Sequence, residues 1–270
     1  MAPSSPRFFS PRTSRRARGF SLVELLVVLA VVAVLVGLVS TAIAPVRRAA
    51  KATADLANLR QLAIASANYA TDHRGLFVDA RLPHGSIPLD GEASFVTTLA
   101  DYAGSPLALR SPLDRSRHWK EEGEPLPGNR YRLTSYGLNN HLCREFSPWG
   151  AIDPARITDR LSLVPAPAGT VHFLLMAESG EFAAADHVHV EEWGSAEQAP
   201  AVASGQCATA LVGGSPASPG ARSNYAFLDG HVATLSFAAV YRDADLNRFD
   251  PSCSGAFDLL VAAPPENPQP

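Results

Sequence analysis

Arg15-Arg-Ala-Arg-Gly-Phe-Ser-Leu-Val-Glu24 runs directly into Leu25-Leu-Val-Val-Leu-Ala-Val-Val-Ala-Val-Leu-Val-Gly-Leu-Val39, and Pro45 follows shortly after. From Leu25 to Val39 no side chain carries charge or a hydrogen-bonding group. Taken from Phe20 to Ala44, the apolar stretch is 25 residues. As a helix it is about 37 Å long, against a hydrocarbon core of about 30 Å. A single segment crosses that core only as a helix, because every backbone amide must be satisfied without water. Residues 20–44 are therefore read as a transmembrane helix. Arg7, Arg12, Arg15, Arg16 and Arg18 precede it with no acidic residue among them, which places the N-terminus on the cytoplasmic side and the rest of the chain across the membrane.

Glu24 does not fit a plain span, since a carboxylate in hydrocarbon is costly unless paired or protonated. A cut after Gly19 would create a positive α-amine at Phe20, about one helical turn from Glu24. The amine and the carboxylate would neutralise each other, within one chain or between neighbours. An ordinary secretory signal has a shorter apolar core and a small-residue cleavage site after it. Here such a site would have to lie near Ser40-Thr41-Ala42. An uncleaved anchor with Glu24 snorkelling to the headgroups is the other plain reading.

Gly19-Phe20-Ser21-Leu22-Val23-Glu24-Leu25-Leu26-Val27-Val28 resembles the class III signal of type IV pilins and type II secretion pseudopilins. The resemblance implies cleavage after Gly19 by prepilin peptidase, methylation of the new Phe20 amine, and pairing of Glu24 with the N-terminus of an adjacent subunit during assembly. Asn224-Tyr225-Ala226-Phe227-Leu228-Asp229-Gly230-His231-Val232 resembles a second signature, the H-X9-DG pattern of large pilin-like proteins. Ser135-Tyr136-Gly137-Leu138-Asn139 and Ser111-Pro112-Leu113-Asp114 resemble further landmarks of that group. The position ten before Asp229 is Pro219 rather than histidine, and Ser111 stands where a cysteine is common. The implied fold is α+β and pilin-like: a long N-terminal helix, transmembrane then amphipathic, packed on an antiparallel β-sheet with loop-rich elaborations. Residues 1–19 form the basic leader to be cleaved, 20–44 the span, 45–75 the soluble half of the helix and 76–270 the exported domain.

The 270 residues carry a net charge of −3, and the part beyond the leader is more acidic by the leader's five arginines. An acidic exported body argues against nucleic-acid binding. Cys143, Cys207 and Cys253 all fall on the exported side, where disulfides persist. Three cannot all pair internally. Cys207–Cys253 is the preferred bridge, both lying in turn-rich C-terminal sequence, with Cys143–Cys207 close behind.

From Val46 to about His73 the pattern becomes amphipathic, with Leu56, Leu59, Leu62, Ser66 and Tyr69 on one stripe and Arg47, Arg48, Lys51, Asp55 and Arg60 elsewhere. Pro45 predicts a kink or break, and Gly75 a stop. Ser94–Tyr102 reads as a brief helix and Ser111–Asn129 as a long surface loop. Tyr131–Leu142 starts as a strand and turns at Asn139-Asn140. Thr170–Glu178 is the clearest buried strand, and His187–Trp193 alternates as a strand would. Ala196–Gly220 reads as loop, Ser223–Phe237 as a hairpin with a type I′ turn at Asp229-Gly230, and Pro264–Pro270 as a frayed end.

His187, His189 and Glu191 would share one strand face and form a candidate metal set, with His172 or His231 as a fourth ligand. No HExxH or CxxC accompanies them, so no metal and no cofactor is expected. Asp229 and His231 flank the hairpin glycine, where an aspartate most often bonds its own backbone. With no nucleophile elbow and no phosphate loop, no enzymatic activity is expected. The expected function is a prepilin-like structural subunit of a type IV pilus or type II secretion pseudopilus. Its partners would be prepilin peptidase/N-methyltransferase, other pilin or pseudopilin subunits and the inner membrane. It would be a single-pass inner-membrane protein with a periplasmic or filament-borne domain. A membrane-anchored ligand-binding module, for instance for polysaccharide, is the alternative.

Overall fold

The computed structural model describes residues 21–82, 94–150 and 153–261. Helix α1 covers Leu22–Asp72, and the chain divides into two compact units, residues 1–46 and 47–270. In the first unit, α1 is long and apolar enough to cross a membrane, and side chains 22–38 are all exposed. The helix does not break at Pro45. The proline forfeits one backbone bond, while its neighbours keep theirs.

In the second unit α1 ends where glycine was expected to stop it. Gly75 takes φ +83° and donates its N–H to the Ala70 carbonyl at 2.7 Å, so the chain leaves the helix through a left-handed residue. A five-stranded sheet follows, in the order β3-β1-β2-β4-β5: β1 Tyr136–Asn139, β2 Val171–Leu175, β3 His187–Val188, β4 Arg222–Phe227 and β5 Val232–Ser236. The fold is α+β, but the sheet is mixed rather than wholly antiparallel. β1 pairs antiparallel with β2 and parallel with the edge strand β3, with Leu138 opposite His187. A short hairpin of β6 (Tyr241–Asp243) and β7 (Leu246–Asn247) stands apart from the main sheet. Helices α2 (Phe95–Ala100), α3 (Ala199–Gln206) and α4 (Ser254–Val261) complete it.

Each face of the sheet is buried under its own core. On one, Leu59, Leu62, Ala63 and Ala65 of α1 pack with Phe95, Tyr136, Leu138, Phe173, Leu175 and Ala226. On the other, Val171, Leu174, Met176, Tyr225 and Phe227 pack with Trp193, Cys207, Phe237 and Phe249. Burial on both faces explains why β2 reads as a nearly continuous apolar run.

Several local expectations are corrected by this packing. Ala196–Gly220 is not all loop: α3 forms there because Pro200 opens it and Ala199 and Ala203 are small enough to lie in the Trp193 core. The Asp229-Gly230 turn is not type I′, which needs positive φ at both residues. Only Gly230 (φ +89°) has it, and Phe227 and His231 close a three-residue loop through Phe227 N–H to His231 O at 2.9 Å. His187–Trp193 is strand only at His187–Val188, after which Val190–Glu192 coils into a 3-10 turn. The turn expected at Asn139-Asn140 is present: Asn139 ends β1 and caps the 3-10 turn Asn140–Leu142, its side chain accepting from His141 N–H. Ser111–Asn129 is not a surface loop, because Ser111, Leu113, Asp114, Ser116 and Trp119 are buried.

Asp55 is also misplaced by the sequence pattern: it lies on the buried stripe of α1, fully enclosed. Its carboxylate accepts from Tyr136 O–H (2.9 Å, β1) and from Asn224 Nδ2–H (2.8 Å, β4), tying the helix to two strands. Burial raises its pKa, against hydrogen bonds from neighbouring side chains that lower it. A raised carboxyl pKa contributes stability that is fully present below the unfolded value of 3.8 and is lost as pH rises through the folded one. Asp55→Ala, which strands two buried donors, is expected to cost about 2–3 kcal/mol in denaturant unfolding. A midpoint within experimental error of the parent would show that the lock carries no weight.

Candidate functional site

The start of α1 is built by a reciprocal cap. Ser21 Oγ accepts from Val23 N–H at 3.3 Å, and Glu24 Oε2 accepts from Ser21 N–H at 2.9 Å. This is a capping box, which satisfies backbone donors at the N-terminus and sets an anion at the positive end of the helix dipole. Its signal, Ser-x-x-Glu ahead of an apolar run, is present in the sequence. Glu24 thus has a local task in addition to any pairing with an amine. Gly19 and Phe20, with the rest of the leader, lie outside the described residues.

His187, His189 and Glu191 are brought together, though not as a strand face. Asp186 Oδ1 lies 3.4 Å from His187 Nδ1, His187 Nε2 lies 3.2 Å from His189 Nε2, and His189 Nδ1 lies 3.0 Å from Glu191 Oε1. Glu191 Oε2 in turn accepts from Asn140 Nδ2–H at 2.7 Å. Burial pushes the Glu191 carboxyl up, but the hydrogen bonds from His189 and Asn140 outweigh it and the net shift is downward. His187 is fully buried and stacks on Phe146 at 4.0 Å. Asp186, also fully buried, accepts from the backbone N–H of Arg81, Leu82 and Phe95 and from Ser94 Oγ–H, so it fixes the start of α2 as well. Neither Asp186 nor Asn140 stood out in the sequence, because their roles depend on contacts about 50 to 100 residues away.

The two histidines suggested as a fourth ligand are engaged elsewhere. His172 stacks on Phe173 at 4.0 Å and meets Phe77. His231 Nδ1 and its backbone N–H both bond Asp229 Oδ1, at 2.6 and 3.0 Å, so the Asp-Gly-His stretch is a self-bonded turn.

The Cys207–Cys253 bridge is not formed, nor is Cys143–Cys207: all three thiols are free. Cys207 is buried in the core with Trp193 and Tyr225, where burial pushes its thiol up to about 12. Cys143 belongs to the opposite core. Cys253 donates to the carbonyls of Asn247 and Asp250. Cys143 and Cys207 are kept apart because they lie in the cores on opposite faces of the sheet.

Residues 14–40 match the family model described as the prokaryotic N-terminal methylation motif. No curated protein and no solved structure matches the chain. The chain therefore carries a prepilin-type methylation motif on an N-terminal apolar helix, as its resemblance to pilin-like proteins implied.

Proposed function

We propose that the chain is a pilin-like structural subunit, cleaved after Gly19, methylated at Phe20 and assembled through its N-terminal helix. The observation that carries this reading is the methylation motif over residues 14–40, set on a helix whose apolar side chains are exposed. Exposed Leu22, Leu25, Leu29 and Val32 offer either lipid or a neighbouring helix a continuous surface. Glu24 supplies register in this reading, because a subunit at the right height sets its amine beside the carboxylate. The role is structural, with prepilin peptidase and other subunits as partners and the inner membrane as the site of insertion; a pilus and a secretion pseudopilus both satisfy it.

The ligand-binding alternative finds less support. The described residues form a cavity of about 240 Å³. Its walls combine apolar side chains, among them Ala63, Phe77, Leu161 and Leu228, with the polar Ser66, Thr71 and His172, and they include no charged residue.

Mass spectrometry of the native chain is expected to find N-methylated Phe20 at its N-terminus and no leader; an intact leader would overturn the proposal. Two substitutions then separate the tasks of Glu24. Glu24→Gln keeps an oxygen to accept from Ser21 N–H but loses the charge, whereas Glu24→Ala loses both. Filament incorporation is expected to fall about tenfold or more in both, corresponding to about 1.4 kcal/mol per subunit. Parental incorporation by Glu24→Gln would reduce Glu24 to a helix cap.

A further inference from the structure

We infer that the cavity between the C-terminal end of α1 and β2 binds a small, uncharged, largely apolar molecule carrying one hydroxyl group, of the size of an alkylphenol. Its volume of about 240 Å³ exceeds the roughly 150 Å³ that admits benzene into an apolar protein interior. Two elements bring polar side chains to its wall: Ser66 from α1 and His172 from β2, 2% and 3% exposed. His172 is there because of a bulge. Val171 sits opposite Phe227 and Phe173 opposite the adjacent Ala226, so β2 holds one residue more than β4 over this step. In a regular strand residues 171 and 173 would share a face, yet Val171 packs in one core and Phe173 in the other. The extra residue lets His172 lie beside Phe173, stacked on it at 4.0 Å, on the side of α1.

Ser66 Oγ and His172 Nε2 are buried without a hydrogen-bond partner among the described residues, and both residues line this one cavity. A buried polar group left unpaired is costly, and a ligand that supplies a partner removes the penalty. Thr71, the third polar side chain of the wall, already donates to the Ala67 carbonyl at 2.9 Å. The chemistry of the occupant follows from the rest of the wall. No charged residue lines it, and burial holds His172 neutral with its pKa pushed down to about 3, so an ionic ligand finds no counter-charge. Phe77, Leu161 and Leu228 present apolar surface, which suits a hydrocarbon body better than waters that each need about two to four polar partners. A hydroxyl both donates and accepts, so it meets Ser66 in either sense and His172 in either tautomer. A saccharide, hydroxylated around its whole ring, has too few partners here. Ala67, Thr71 and Leu161 line the cavity and are themselves exposed. Entry from solvent therefore lies between α1 and the segment that Leu161 N–H ties to the Gly75 carbonyl at 2.8 Å. The site makes no use of the apolar half of α1, so it stands whether or not the chain enters a filament.

The test titrates the full-length chain in detergent with 4-ethylphenol by calorimetry, with ethylbenzene as the hydroxyl-free match. Ala67→Trp, which plugs the mouth at an exposed helix position, is the blank for partition into micelles. One saturable equivalent of 4-ethylphenol is expected in the parent and none in Ala67→Trp, with ethylbenzene bound about fivefold to tenfold more weakly. Ser66→Ala and His172→Phe should each weaken 4-ethylphenol by a similar factor and leave ethylbenzene unchanged. The comparison of the two ligands on the parent decides the matter even if a variant misfolds. No heat above the Ala67→Trp blank, equal affinity for the two ligands, or 4-ethylphenol binding untouched by both polar substitutions would each overturn the inference.

Discussion

Arg132→Ala is expected to lower the free energy of unfolding by about 3–5 kcal/mol, the range for breaking a buried ion pair from one side. Arg132 and Asp114 are almost wholly enclosed, each side chain 1% exposed, with Nε 2.8 Å from Asp114 Oδ2. The guanidinium also donates to the carbonyls of Met176, Ala177 and Ala183, at 3.1, 2.5 and 2.6 Å. Asp114 Oδ2 further accepts from Ser135 Oγ–H, and Oδ1 from Ser116 N–H. Burial lowers the Arg132 pKa, against the attraction of Asp114, which raises it. Removing the arginine leaves a buried carboxylate and three carbonyls short of donors. Because this pair is a buried tie of the 111–129 segment, beside the bonds of Ser111 to Ser135 and of Arg115 and Ser116 to Glu178, the segment should also become more protease-sensitive in Arg132→Ala. Arg132→Met, which fills the space, restores none of the donors and should fall between. Denaturant unfolding in detergent measures all three, and a loss below about 1 kcal/mol would contradict the account.

Acidification is the second large effect. His172 has its ring nitrogen Nε2 buried with no hydrogen-bond partner among the described residues, and burial pushes its pKa down to about 3. The unfolded chain takes up this proton near the ordinary value of 6.5. Between the two values the unfolded state binds more protons, so stability rises with pH and is lost as pH falls. At 1.36 kcal/mol per unit, His172 alone should remove about 2 kcal/mol by pH 5 and about 4–5 kcal/mol below pH 3. His141, whose pKa burial also lowers, adds to the same slope, while Asp55 opposes it at the acid end. His172→Phe keeps the stacking on Phe173 and removes both the orphaned nitrogen and the titration. It should match or exceed the parent at pH 7 and flatten the decline between pH 6.5 and 4. An unchanged acid limb would assign the effect to other groups.

How much of this was readable in the chain varies with the range of the interaction. Leu59, Leu62 and Gly75 announced the soluble half of α1 and its end, because helix periodicity and a left-handed stop are local properties. Val171–Leu175 announced itself by burial on both faces. Asp55 did not: a charged residue one turn from Leu59 reads as solvent-facing until Tyr136 and Asn224 arrive from strands 81 and 169 residues away. The same holds for Arg132, whose four acceptors lie on segments no periodicity connects. His187, His189 and Glu191 were picked out by their alternation. Yet the carboxylate that completes their chain is Asp186, and the 3-10 turn rather than a pleat sets their spacing.

The apolar helix long enough to cross a membrane, the methylation motif and the α+β class followed from the sequence because each depends on residues adjacent along the chain: a greasy run, a basic flank, a glycine, a lone acid, and two periodicities. Tertiary structure alone decided which polar groups are buried together, that the cysteines stay apart, and that the edge strand pairs parallel. Those outcomes depend on which distant segments share a core, and desolvation, the force that fixes their energies, acts only after the chain has closed around them.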